Sequence, residues 1–340
     1  MPNEYSINRF SRGKLPTGIL GGLLSVLEGH PRLVVGPRVG EDAAVIDMGD
    51  RYLVAKSDPI TFVEARIGWY AVNINANDIA CMGAGPAWFL ATLLLPEERA
   101  NEEMLRAIWD DIQKACREMG IIVCGGHTEI TPGLDRPFVC GQMLGEVSKE
   151  MLVRGDGARE RDAILLTRAV PVEGAAILAD AKRADLAAEL GEGLVERAAE
   201  FLDNPGISVV RQALAAAHTG LVHAMHDPTE GGLATGIHEL AEASGLGARV
   251  DEEAVPISEE GGAICRALGL DPLGVITSGA LLLAVPPEGE EKVRNTLLET
   301  GSLGVRIGTL GPAEEGVILN RKNGATPLPR YNSDEIGKIL

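Results

Sequence analysis

The strongest constraint on the fold of this 340-residue chain is a set of four acidic or glycine-rich segments that interrupt the apolar runs of its first half. Three of them place an aspartate beside an apolar run: Asp42 in Gly-Glu-Asp-Ala-Ala-Val, Asp58 in Lys-Ser-Asp, and Asp78 in Asn-Ile-Asn-Ala-Asn-Asp. The fourth segment, at 125–129, reads Gly-Gly-His-Thr-Glu. Since Mg²⁺ takes oxygen ligands and keeps several waters, the pattern favours a site for nucleotide-bound Mg²⁺.

The sequence contains no Gly-x-x-x-x-Gly-Lys-Ser/Thr segment, so a P-loop is excluded. A bound nucleotide would therefore have its phosphates held by a metal ion and by backbone amides. The alternative for the three aspartates is turn or cap chemistry, since the Asp58-Pro59 pair favours a turn.

The composition of the chain argues against several classes of protein. The formal net charge of −18 argues against nucleic-acid and anionic-membrane surfaces, which favour an excess of Lys and Arg. The five cysteines are scattered and form no Cys-x-x-Cys, as is typical of a reducing compartment. No apolar run reaches the ~18 residues needed to span a bilayer. We therefore expect a soluble cytoplasmic protein with neither nucleic acid nor membrane as a partner.

The order of the predicted elements indicates an α/β or α+β fold. Helical spacing of apolar residues predicts helices over 66–81 and 102–119, and short apolar runs predict strands at 88–95, 121–124 and 138–147. Strands and helices continue to alternate after these elements, but periodicity alone does not separate the two fold classes.

The length of the chain predicts two domains, because a single hydrophobic core usually stops growing below 340 residues. The polar, turn-rich stretch 148–162 is the predicted boundary. It divides the chain into domains of residues 1–148 and 149–340.

Four segments in a fixed order resemble the AIR synthase (PurM)-like superfamily, and in particular its HypE-like, hydrogenase-maturation branch. They are the acidic motif at 40–45, Asn-Asp-Ile-Ala-Cys-Met-Gly-Ala at 77–84, Gly-Gly-His-Thr at 125–128, and Asp-Pro-Thr-Glu-Gly-Gly-Leu at 227–233. The same superfamily includes thiamine-monophosphate kinase, selenophosphate synthetase and FGAM synthase. The resemblance extends from about residue 10 to about residue 320.

The resemblance implies an α/β plus α+β, PurM-like fold. The amino-terminal domain would pair with its twin to form a dimeric β-barrel, with ATP in clefts along the interface, and the α+β carboxy-terminal domain would close over it. The implied partners are ATP, a small-molecule substrate, a second copy of the chain and a maturation protein.

The resemblance also implies a set of ligand-binding residues. Asp42, Asp58 and Asp78 match the positions that hold Mg²⁺ and the ATP phosphates. The segment 227–233 matches a backbone-amide cradle at a helix start, where N–H groups favour anions, and Lys14 resembles a lysine able to reach a phosphate. The implied cofactor-binding residues are Lys14, Asp42, Asp58, Asn77, Asp78, Gly125, Gly126, Thr128, Asp227, Thr229, Gly231 and Gly232.

Three histidines leave alternatives open. His127 stands where relatives carry Asp or Glu, and we predict that His127 and Glu129 are catalytic. Three alternatives remain for His127: contact with a phosphate or substrate, general-base catalysis, and a plain loop histidine. His223 and His226 form His-x-x-His, but in an extended segment they would face opposite sides, which disfavours a zinc site.

The predicted function is that of a Mg²⁺- and ATP-dependent enzyme that activates a substrate oxygen by phosphoryl transfer. HypE uses a cysteine at its carboxyl terminus as the acceptor, whereas the last cysteine here is Cys265, so we do not expect the cyanide-forming reaction of HypE within this chain. The alternatives are an enzyme like thiamine-monophosphate kinase or AIR synthase, and a non-catalytic nucleotide-binding scaffold in a maturation complex.

Overall fold

Two β-sheets that follow one another along the chain form the framework of the computed structural model. The structure describes residues 15, 17–38, 40–61, 63–331 and 333–340. Lys14, which the sequence places near a phosphate, lies outside these described residues. In the described part of the chain, no helix is long and apolar enough to cross a membrane.

The first sheet has six strands in the order β1-β2-β3-β6-β4-β5. All its pairings are antiparallel except that of β4 with β5. Its strands are β1 (Leu33–Val35), β2 (Ala44–Asp47), β3 (Arg51–Ile60), β4 (Gly85–Pro96), β5 (Ile122–Thr131) and β6 (Phe138–Ser148), and the helices of this half are α1 (Thr17–Leu24), α2 (Ile67–Cys81) and α3 (Glu102–Met119).

Local signals determine α3, which has the predicted bounds. The side chain of Asn101 accepts a hydrogen bond from the amide of Met104 at the first turn, and Gly120 ends the helix with φ = 70°. Both are favoured cap residues. Its apolar stripe, which includes Ile108 and Ile112, is buried in the core of this half.

Helix α2 is almost wholly buried because it has neighbours on several sides. It packs on β3, β6 and α3, and its other side meets α7 of the second half. Its buried asparagines remain compatible with this position because their amides bond to backbone carbonyls, as Asn75 does to Ala71 at 2.8 Å and to Asp58 at 3.2 Å.

The strand β5 is longer than predicted. The sequence indicated a strand at 121–124 followed by a glycine-rich loop, whereas the structure continues the strand to Thr131. The cause is non-local: β4 provides a parallel partner along the whole segment. Gly126 follows this register with φ = 150°, and a Cβ atom there would overlap the carbonyl oxygen of Ala91. The glycine is therefore required by close strand packing.

The second sheet has seven strands in the order β13-β12-β9-β11-β7-β10-β8. Only β9 and β12 pair in parallel. Its strands are β7 (Ala163–Leu166), β8 (Ala224–His226), β9 (Gly247–Asp251), β10 (Leu282–Val285), β11 (Val305–Gly311), β12 (Val317–Arg321) and β13 (Gly324–Pro327), and its helices are α4 (Glu173–Ala181), α5 (Arg183–Leu190), α6 (Glu192–Ala199), α7 (Val210–Ala217), α8 (Gly232–Ala243), α9 (Glu259–Leu268) and α10 (Glu290–Glu299).

The central strands of the second sheet are buried on both faces. Alternate residues of β7 contribute to two cores: Ile164 and Leu166 pack with α8, whereas Leu165 packs with α7 and α10. Burial on both faces explains why β7 and β10 read as continuous apolar runs. The result is a two-domain α/β architecture, while the predicted boundary between residues 148 and 149 stays a prediction.

Candidate active site

Acidic side chains from three distant parts of the sequence converge between the two sheets. Asp42 precedes β2, Asp78 lies in the last turn of α2, and Asp227 follows β8 directly. All three are buried. One ligand atom each from Asp42, Cys81 and Asp227 lies within 4.8 Å of the other two. We call Asp42, Asp78 and Asp227 the acidic cluster.

Each member of the acidic cluster has one oxygen without a hydrogen-bond partner among the described residues: Oδ2 in all three. Burial raises the pKa of Asp78 and of Asp227 above the ordinary aspartate value; neighbouring carboxylates add to this shift, and the positive charge of Lys56 opposes it. Buried carboxylates are normally paired or coordinate a metal. The carboxylates of Asp42 and Asp227, which lie in the group of ligand atoms within 4.8 Å of one another, therefore fit a hard divalent cation such as Mg²⁺, and Asp78 adds its charge beside them.

Lys56, on β3, brings a positive charge to this cluster. Its Nζ lies 3.1 Å from Oδ1 of Asp78 and 3.7 Å from Oδ2 of Asp58, whose side chain is 38% exposed. Burial alone would lower the pKa of the Lys56 ammonium, but the neighbouring carboxylates outweigh it and raise the pKa above its ordinary value. The ammonium therefore remains charged and compensates the cluster in part, while Asp58 lies at its exposed side.

His226 holds Asp42 in place. Its Nδ1 lies 2.9 Å from Oδ1 of Asp42, and its Nε2 lies 2.9 Å from Oε2 of Glu239 on α8. Burial lowers the pKa of the imidazole, but the two carboxylates outweigh burial and raise the pKa well above its ordinary value. A doubly protonated ring donates a hydrogen bond to each carboxylate. The interaction also links the second sheet to the segment that carries Asp42.

The predicted His-x-x-His segment does not form a common site. His223 bonds through Nδ1 to Asp162 at 2.9 Å, away from the partners of His226. The two histidines therefore have different carboxylate partners.

The predicted backbone-amide cradle binds a carboxylate within the chain. Gly231 and Gly232 have φ values of 77° and 64° at the start of α8, a conformation that favours glycine. The amide of Gly231 donates to Oδ2 of Asp334 at 2.7 Å. An oxyanion thus sits on this amide, as expected at a helix amino terminus. The predicted roles of Thr229 and Gly232 in cofactor binding stay predictions.

Asn77 connects the two halves of the chain. Its buried amide donates to the carbonyl of Ile207 at 2.8 Å, and its oxygen accepts from the amide of Val209 at 2.9 Å. These bonds fasten the segment before α7 to α2. Its predicted role in cofactor binding stays a prediction.

Within one chain the segment 125–129 lies away from Asp58, the aspartate at the exposed side of the acidic cluster. Residue pairing runs from Asp58 through Gly141 and Ala91 to Gly126, so three strand spacings, roughly 14 Å, separate Asp58 from Gly126. This segment belongs to the edge strand β5 and is exposed.

His127 and Glu129 lie on the same face of β5, with 3.7 Å between His127 Nε2 and Glu129 Oε2. Both side chains are exposed, at 69% and 59%. Their catalytic roles, and the cofactor-binding roles of Gly125, Gly126 and Thr128, stay predictions.

Four residues of the site were not assigned from the sequence: Lys56, Cys81, His226 and Glu239. A signal existed for Cys81, which lies three residues after Asp78 and hence on the same side of α2. Lys56 and His226 each adjoin a predicted motif. Glu239 had no signal, because its partner His226 is reached only through the packing of α8 on β8.

Comparison with known proteins shows the family to which the chain belongs. The family described as AIR synthase related protein matches with its N-terminal domain at residues 40–147 and with its C-terminal domain at residues 159–320. A putative hydrogenase expression/formation protein of Methanocaldococcus jannaschii is 31% identical over 308 residues, which cover 88% of each chain. A carbamoyl dehydratase HypE of Rhizobium leguminosarum bv. viciae is 32% identical over 263 residues, which cover 75% of this chain and 72% of the relative.

A solved structure has the same fold. The crystal structure of the hydrogenase maturation protein HypE in complex with ATP superposes with a TM-score of 0.71 at 27% identity, covering 91% of this chain and 89% of that chain. Family match, sequence identity and fold agree over both sheets. The chain therefore belongs to the AIR synthase-related, PurM-like family, in its HypE-like branch.

Proposed function

We propose that this protein is a Mg²⁺- and ATP-dependent enzyme that activates a substrate oxygen by phosphoryl transfer. The observation that carries the proposal is the acidic cluster, in which three buried carboxylates each keep an unpartnered oxygen. The relatives named HypE and the ATP complex of HypE support this reading.

In this proposal Asp42, Asp78 and Asp227 hold Mg²⁺, with Asp58 at the exposed side of the cluster. When bound, the metal neutralises charge on the phosphate oxygens, which together with positioning is the main requirement of phosphoryl transfer. The protein's own part is to fix these groups. His226 orients Asp42, Lys56 adds a positive charge, and the amide of Gly231 offers a place for a phosphate oxygen where Asp334 now sits.

We further propose that the acceptor oxygen belongs to a separate molecule, either a small-molecule substrate or a maturation-protein partner. Cys265, the last cysteine in the sequence, is buried within α9. It is therefore a poor acceptor for a transferred group.

The exposed edge of the first sheet supports a homodimer. Among the described strands β5 has a partner on one side only, and Ile122 and Ile130 on it are 62% and 60% exposed. Unpaired edge strands with apolar side chains favour pairing with another chain. We propose that two copies join through β5 to form the dimeric β-barrel, with ATP bound along their interface.

Turnover tests the proposal. ATP-to-ADP conversion with Mg²⁺ should be measured for the wild type and Asp42→Asn, against thiamine monophosphate, formylglycinamidine ribonucleotide and carbamoyl phosphate. Asp110→Asn, which changes an exposed aspartate on α3, is the matched control. Stimulation by one substrate that is lost only in Asp42→Asn is the expected result. ATP binding without turnover on any substrate would indicate the non-catalytic scaffold instead.

A further inference from the structure

A cavity at the carboxyl end of β7 contains a partly buried cation that has no counter-ion among the described residues. The cavity has a volume of about 360 Å³, which lies within the range of small-molecule sites, and Arg168 lines it. Burial lowers the pKa of the Arg168 guanidinium to about 10. In the part of the chain that the structure describes, no carboxylate pairs with this side chain, so its charge is uncompensated.

The bonds that Arg168 makes are to neutral acceptors. Nη1 donates to the carbonyl of Gly206, and Nη2 donates to the carbonyl of Ser208 at 3.4 Å. The side-chain amide of Gln212 has hydrogen-bond partners for both its nitrogen and its oxygen in one of its two orientations. In that orientation Nη2 of Arg168 also donates to the side-chain oxygen of Gln212 at 2.9 Å. A guanidinium has five N–H donors. Two therefore remain for a ligand.

The lining of the cavity is suited to an anion. Although the chain carries 49 acidic residues, none of the described residues that line this cavity is acidic. The lining adds hydroxyl and amide groups to the single cation, and Phe201 supplies an apolar wall. The polar lining residues are Thr167, Asn204, Gln212, Ser258 and Thr300.

The cavity is separate from the acidic cluster, but both lie at the end of the second sheet where β7 and β8 terminate. Leu166, at the end of β7, pairs with Leu282 of β10, which pairs in turn with His226 of β8. Two strand spacings, roughly 10 Å, thus separate the end of β7 from the site of His226. The cavity does not share a residue with the metal site proposed above.

We propose that this cavity binds a small molecule that carries an oxyanion, either a phosphate ester or a carboxylate, through the guanidinium of Arg168. The two N–H donors that remain, Nε–H and one N–H of Nη1, can each give a charge-assisted hydrogen bond to either group. Binding of such a ligand would neutralise the buried charge. The proposal goes beyond the proposed function, because it requires neither ATP nor Mg²⁺.

Calorimetric titration of the full chain without ATP or Mg²⁺ tests the proposal, with inorganic phosphate and acetate as separate probes. We expect saturable binding of one probe per chain, and the tighter probe identifies the ligand as phosphate-like or carboxylate-like. Arg168→Gln should weaken it at least tenfold. Arg306→Gln, an exposed arginine on β11, should leave it unchanged, as should Asp42→Asn in the acidic cluster.

A second variant keeps the test valid if Arg168→Gln does not fold. Leu303 lines the cavity, is 47% exposed, and contacts Thr167 through its backbone amide. Leu303→Glu adds a carboxylate to the lining of the cavity and should weaken binding at least tenfold, whereas the neutral Leu303→Gln should not. Equal affinity in the wild type and Leu303→Glu, or no saturable binding of either probe by the wild type, would overturn the proposal.

Discussion

Replacing Glu173 with glutamine should stabilise the fold by an amount that grows as the pH rises from 5 to 8. Glu173 begins α4, is 5% exposed, and its Oε2 has no partner among the described residues. Burial raises the pKa of this carboxyl to about 7, and the charges of Glu230 and Asp334 add to the effect. The folded state therefore opposes ionisation of this side chain.

The size of the effect follows from the pKa values. The pKa of Glu173 is about 7 in the folded chain against an ordinary value of 4.5. Since each pH unit corresponds to about 1.4 kcal/mol, ionisation in the folded state costs roughly 3 kcal/mol. A raised pKa gives a stability contribution that is complete below pH 4.5 and is lost as the pH rises through about 7. Glutamine keeps the neutral shape and does not titrate.

Urea unfolding of the wild type and Glu173→Gln at pH 5, 6, 7 and 8 measures this difference. The variant should exceed the wild type in free energy of unfolding by roughly 1 kcal/mol at pH 5 and roughly 3 kcal/mol at pH 8. Glu196→Gln, at an exposed position on α6, is the control and should show no such trend. A difference that does not change with pH, or that stays below about 1 kcal/mol at pH 8, would refute the reasoning.

Three further predictions concern contacts that connect different elements of the chain or two copies of it. Asn77→Ala leaves the buried backbone groups of segment 207–209 without partners and should cost about 2–5 kcal/mol in urea unfolding; a loss below about 0.5 kcal/mol would contradict this. Gly126→Ala should increase amide hydrogen exchange along β5, since a Cβ atom overlaps a carbonyl of β4; unchanged exchange would contradict the observed register. The pair Ile122→Lys and Ile130→Lys should yield a folded monomer in light scattering, whereas an unchanged oligomeric state would exclude the β5 interface.

The sequence predicts those parts of the fold that depend on local signals. The bounds of α3 follow from a cap at Asn101 and a glycine at Gly120, both within the element or next to it. The extent of β5 did not follow, because it depends on pairing with β4, a strand that lies some thirty residues earlier and is joined to it through α3. The sequence of a short glycine-rich segment does not indicate which distant strand it will pair with, or in which register.

The candidate site likewise has residues that local motifs predict and contacts that only the folded chain creates. The sequence predicts Asp42, Asp58 and Asp78 as metal ligands and Asp227 as a cofactor-binding residue from recognisable motifs, and these roles stay predictions. The pairs that hold them, His226 with Glu239 and Lys56 with Asp78, form only when α8 packs on β8 and α2 packs on β3. No spacing along the chain indicates such contacts, since the partners belong to different elements.

The most direct test of the central claim is equilibrium binding of ATP by calorimetry, with and without Mg²⁺, for the wild type, Asp42→Asn and the control Asp110→Asn. The acidic cluster predicts that the wild type and the control bind ATP in the presence of Mg²⁺ and far more weakly without it, and that Asp42→Asn binds at least tenfold more weakly. Equal Mg²⁺-dependent affinity in all three proteins, or no binding of ATP by the wild type, would contradict the assignment of the cluster as the nucleotide-metal site.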